Sequence, residues 1–85
     1  MKKRIRWEIE VTDTFGGEAN YAWVERYTFE TAEDASDRSI VIAAKKAAGM
    51  TGVKCDTESF GDMIQLDVRG ACIRAFITYL DDAGD

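Results

Sequence analysis

Three stretches of this chain alternate apolar and polar residues with a period of two, two more are rich in β-branched and aromatic residues, and one carries apolar residues at helical spacing. Strand side chains point alternately to opposite faces, so this pattern commits most of the chain to half-buried strands. Ile5, Trp7, Ile9 and Val11 alternate with Arg4, Arg6, Glu8 and Glu10 and predict a first strand with one buried face. Residues 21–30 are rich in aromatic and β-branched side chains and predict a second. Tyr21, Trp23, Tyr27 and Phe29 share one parity, and Glu25 interrupts it. Either Glu25 lies at a wet rim, or a bulge shifts the register between Trp23 and Tyr27. Gly16 and Gly17 permit positive φ between the two strands, so the pair reads as an antiparallel hairpin.

Thr31, followed by Glu33, Asp34 and Asp37, predicts a capped helix start with acids at the positive end of the helix dipole. Ile40, Ala44 and Ala47, with Val41 and Ala48 beside them, form its apolar face. Lys45 and Lys46 suit its last turns, and Gly49 stops it. Residues 53–58, 64–69 and 71–80 then read as three more strands, with turns at 59–62 and at Gly70. Both parities of 71–80 carry apolar bulk, which marks a central strand or one covered on both faces. The expected fold is α+β, in the order β-β-α-β-β-β, an antiparallel sheet with one helix packed on one face. Residues 1–80 form one domain in this reading, and 81–85 form an acidic tail expected to fray. One helix covers only part of such a sheet, which leaves some of Tyr21, Trp23, Phe76 and Leu80 near the surface as an interface.

At 85 residues there is room for one domain, and 46% apolar residues suffice for a core without metals or obligatory disulfides. That core is thin, so burying a spare apolar face in a homodimer would stabilise it. No apolar run reaches the length of a membrane span. The basic start, Met1 to Arg6, is followed by Glu8 and Glu10 rather than by an apolar signal segment, which points inside the cell. A net charge of -5 disfavours direct nucleic-acid binding and suits a basic protein partner.

The chain has no histidine, which removes the commonest general base, the Ser-His and Cys-His pairs and the usual zinc ligands. Cys55 and Cys72 lack the Cys-x-x-Cys spacing of a redox or zinc site, and in a reducing cytosol they read as buried strand thiols. Asp56, Glu58, Asp62 and Asp67 lack the fixed spacing of a metal loop and read as a solvated strand face and a turn. Phe15, Gly16, Gly17 and Glu18 lack the Gly-Lys-Ser/Thr ending of a phosphate loop. No catalytic residue, cofactor or metal is expected. Arg4, Arg6 and Arg26 are expected to pair with neighbouring acids across strands. The candidate binding residues are Phe15, Glu18, Tyr21, Trp23 and Arg26, with Trp23 the first choice as an exposed anchor.

The block Asp13-Thr14-Phe15-Gly16-Gly17-Glu18-Ala19-Asn20-Tyr21-Ala22-Trp23-Val24, with Phe60-Gly61-Asp62-Met63-Ile64 downstream, resembles a group of short proteins carried by phages, prophages and plasmids. The resemblance spans most of the chain. It implies a mobile-element origin and a bacterial cytoplasmic setting, and it brings no assigned activity and no site residues. The function expected is that of a non-catalytic acidic binding protein that modulates or inhibits a host protein, a defence complex among the candidates. Two other readings stay open. One is a small-molecule or nucleotide-binding module with its pocket under the first hairpin loop. The other is an acidic DNA-mimic competitor, which needs Glu33, Asp34, Asp37, Asp56, Glu58 and Asp62 on one face.

Overall fold

The chain folds into β1 (Arg4–Phe15), β2 (Glu18–Ala32), α1 (Asp37–Ala47), β3 (Cys55–Ser59), β4 (Met63–Val68) and β5 (Ile73–Gly84). The computed structural model describes residues 3–15, 18–68 and 70–84. The expected hairpin glycines Gly16 and Gly17 lie outside the described residues, as do Met1, Lys2, Arg69 and the last residue of the expected tail, Asp85. The five strands form one antiparallel sheet in the order β2-β1-β5-β4-β3, so the class is α+β with the expected order of elements. β5 sits in the middle of the sheet, as apolar residues at both of its parities require.

The core is a set of cross-strand rows. Tyr27, Ile9, Ile77 and Ile64 lie side by side across four strands, and Glu25, Val11, Ala75 and Leu66 form the next row. Ile9, Val11, Ile64, Leu66, Ala75 and Ile77 are buried in one cluster with Ile40, Val41 and Ala44 of α1. Trp7 packs edge-on against Tyr79 with ring centroids 6.1 Å apart, extending the same face.

Thr31 does not cap the helix. It stays in β2, buried, where its Oγ1 accepts a 2.9 Å hydrogen bond from Trp7 Nε1. A half-buried indole N–H is best satisfied by an acceptor, and this bond holds Thr31 in the sheet. The cap is Ser36, whose Oγ accepts from the Ser39 amide at 3.2 Å. Of the expected acids, Asp37 alone lies in the first turn of α1. At the other end Gly49 takes φ 72, and the Met50 and Gly49 amides close onto the Lys45 and Lys46 carbonyls in a Schellman turn.

The acidic end of the chain is a strand where a frayed tail was expected. β5 continues past Leu80 to Gly84 and pairs Asp81 with Arg6 and Asp82 with Ile5. Arg6 and Asp81 form an ion pair at 3.3 Å, and the Tyr79 hydroxyl donates to Asp82 at 3.0 Å. β1 starts at Arg4, and without residues 81–84 the backbone groups of its first turnless stretch would lack a partner on that side.

Cys72 also departs from expectation. It is exposed, in the turn before β5, at φ 52, and its carbonyl accepts from the Thr14 amide at 2.8 Å. Cys55 is half-buried, and both thiols are free.

Candidate functional site

The first hairpin carries the most irregular backbone of the sheet. β1 and β2 keep a regular register from Arg4↔Ala32 to Thr12↔Val24, and pairing resumes at Thr14↔Ala19. Asn20, Tyr21, Ala22 and Trp23 are thus set against Asp13 alone, in a wide bulge with Tyr21 at φ 56. Such a φ is costly for a residue with a Cβ and persists where its surroundings over-determine it.

Two side chains of β1 supply that constraint. The Thr12 hydroxyl, 0% exposed, accepts from the Tyr21 amide at 3.1 Å and donates to the Trp23 carbonyl at 3.0 Å. The Asp13 carboxylate accepts from the Ala22 amide and from the Asn20 side-chain amide, each at 2.9 Å. Side-chain oxygens thereby take over backbone donors that the bulge withdraws from the ladder. The Asn20 hydrogen bond holds the Asp13 carboxyl below its ordinary value against the opposing pull of partial burial, and the Ala22 amide adds to it.

The bulge fixes where the aromatics go. Phe15, at the end of β1, is 80% exposed, and Tyr21 and Trp23 are exposed as well. The β1–β5 ladder runs to Asp13↔Ile73 and the Thr14 amide adds one bond to the Cys72 carbonyl, so the hairpin tip beyond it has no partner strand on that side among the described residues. Glu18 pairs with Phe15 at the tip. Trp23 reaches back over a cavity of about 360 Å³ lined by Val11, Glu25, Ala48, Met50 and Ile73. Glu25 stands at its rim, where its carboxylate accepts a 2.8 Å hydrogen bond from the Tyr27 hydroxyl, and this bond raises the Tyr27 phenol. The wet-rim reading of Glu25 therefore holds, and the bulge spans Asn20 to Trp23 rather than lying between Trp23 and Tyr27.

Four of the expected binding residues, Phe15, Glu18, Tyr21 and Trp23, belong to this tip and bulge. Arg26 does not join them. It has the opposite parity to Glu25 and Tyr27 and pairs across β1 with Glu10 at 2.9 Å. The cross-strand pairing expected of the arginines is present, with Arg4 on Glu30 at 3.6 Å and Arg6 on Asp81 at 3.3 Å. Thr12 and Asp13 are the residues the sequence reading missed. Their signal was Asp13 and Asn20 flanking the glycine loop, both able to bond nearby backbone.

Asp67 is held below its ordinary value first by Arg74, at 2.6 Å, and then by Gln65, at 3.0 Å. Burial pushes the Cys55 thiol up, away from a reactive thiolate, although Lys45 opposes this. Glu33 and Asp34 follow β2 at one edge of the sheet, while Asp56 and Glu58 lie on β3 at the opposite edge. Among the described residues no group of three or more His, Cys, Asp or Glu is placed to hold a metal ion, and no helix is long and apolar enough to cross a membrane.

No family model, curated protein or solved structure matches the chain. The first hairpin offers exposed aromatic surface on a backbone fixed by side-chain bonds.

Proposed function

We propose that this chain is a non-catalytic binding protein of a phage or other mobile element that acts in the bacterial cytoplasm by engaging a host protein through the tip of its first hairpin. The observation that carries this reading is the bulge itself. Thr12 and Asp13 hold Tyr21 in an unfavourable φ, and the result is Phe15, Tyr21 and Trp23 standing in water. Exposed aromatics on a preformed support bind with little ordering cost, which is how interface anchors work. The cavity beneath Trp23 leaves room for a partner side chain beside the indole. The net charge of -5 and the chain's lack of histidine fit a binder of basic surfaces better than a catalyst. In this reading α1 packs on one face of the sheet, supported by the cluster that joins Ile40, Val41 and Ala44 to Ile9 and Ile77.

The test is capture from bacterial lysate with the wild-type chain, Phe15→Ala, Trp23→Ala and a remote control, Lys46→Ala. One defined host protein retained by wild type and control, and lost at least about tenfold by both tip variants, is the expected outcome. Retention unchanged by Phe15→Ala and Trp23→Ala would refute the tip as the contact, and no retained protein would refute the reading as a whole.

A further inference from the structure

The outer edge of β2 has a pattern that goes beyond the hairpin tip. Glu33 donates its amide to the Lys3 carbonyl at 3.1 Å, one residue beyond the Arg4↔Ala32 pair. Backbone bonding alternates along an antiparallel pair, so the odd residues of β2 bond inward to β1. Arg26, Thr28 and Glu30 consequently turn their backbone N–H and C=O groups outward. The 2.8 Å bond from the Thr14 amide to the Cys72 carbonyl agrees, since it sets the even residues of β1 toward β5. β2 is an edge strand, its register with β1 is unbroken from Val24 to Ala32, and Arg26, Thr28 and Glu30 are exposed.

We infer that this edge pairs with a second copy of the chain, antiparallel, about a two-fold axis at Thr28. The sequence around Thr28 is self-complementary in that arrangement. Thr28 faces the partner's Thr28, Arg26 faces the partner's Glu30, and Glu30 faces the partner's Arg26. These are the outward-bonding positions, so each facing pair exchanges backbone hydrogen bonds. On the other face Tyr27 meets the partner's Phe29 and Phe29 meets the partner's Tyr27, in the closer non-bonded pairs that favour aromatic contacts. The existing ion pairs extend the match. Glu10 already holds Arg26 at 2.9 Å and Arg4 holds Glu30 at 3.6 Å. Across the axis the order becomes Glu10, Arg26, the partner's Glu30 and the partner's Arg4, with signs alternating throughout. Such a network is worth more than isolated surface pairs. Charges on an edge strand usually repel a second strand. Here two opposite charges equidistant from one residue make the edge selective for itself, as an isologous interface requires.

Light scattering on the eluting protein tests this. At a chain concentration of about 0.2 mM, ample for a weak strand-paired dimer, the wild type should scatter at twice its 9.5 kDa. Thr28→Pro removes one outward N–H and no bond to β1, a change that edge strands tolerate. It should scatter at 9.5 kDa with an unchanged far-ultraviolet spectrum. Glu30→Arg, which sets like charges opposite each other twice, should weaken the dimer by about tenfold or more and decides the matter if Thr28→Pro does not fold. A monomeric wild type, or a folded Thr28→Pro or a Glu30→Arg protein that dimerises as the wild type does, would overturn the inference.

Discussion

Thr12 shows how one hydroxyl shapes the surface that the proposed function needs. It is fully buried, although the residues of its parity before it in β1, Arg4, Arg6, Glu8 and Glu10, are charged. Its oxygen accepts from Tyr21 and its proton goes to the Trp23 carbonyl. Thr12→Val keeps shape and β-propensity but leaves a buried amide and a carbonyl unsatisfied. It should lower unfolding stability by about 1–3 kcal/mol, read from urea midpoints at constant m-value. Asp13 adds a pH dependence. Its folded value is depressed, chiefly by Asn20, so its contribution is fully present above the unfolded value, near about pH 4, and fades as pH falls through the lower folded value. Asn20→Ala should shrink that acid-side loss, so the thermal midpoints of variant and wild type should converge as the pH is lowered through this window. Midpoints that stay parallel would show that Asn20 does not set the Asp13 ionisation.

At the scale of elements, period-two alternation made β1, β3 and β4 legible, and the doubly apolar 71–80 stretch announced a central strand. The helix was legible from Ile40, Val41 and Ala44, but its start was not. Thr31 and Ser36 are both good caps, and what separates them is the distant indole of Trp7, which no local pattern reports. The bulge was hidden for the same reason, because side chains on β1 hold the backbone of β2. The acidic end was misjudged because Asp81 and Asp82 read as solvent-loving, whereas Arg6 and Tyr79 give them partners at the end of a strand. Removing residues 81–85 should therefore cost about 1 kcal/mol or more of stability, through the lost ladder with Arg4 to Arg6. A midpoint unchanged by the truncation would mean that this end does not stay paired.

For the whole molecule, the division of labour is between a sheet with a buried cluster at its centre and a hairpin that outruns it. The cluster around Ile9, Leu66 and Ile77 holds the strands, and β5 ties both halves of the sheet together. That leaves the tip of β1 and β2 free to present Phe15, Tyr21 and Trp23, and leaves the edge of β2 open. Among the candidate site residues, Tyr21 and Trp23 stood out in the sequence by their parity beside the interruption at Glu25. Their mutual placement did not, because it depends on the bulge at Asn20 to Trp23 and on the φ of 56 at Tyr21. Binding through this tip demands that the bulge be fixed before any partner arrives, since a floppy loop would spend its contact energy on ordering. Amide hydrogen exchange resolved by residue in the free protein reports this directly. The Tyr21 amide, bonded to the buried Thr12 hydroxyl, should exchange about a hundredfold or more slowly than in an unstructured chain. A Tyr21 amide exchanging at the unstructured rate, while Ile9 and Ile77 stay protected, would mean the tip has no fixed shape to offer.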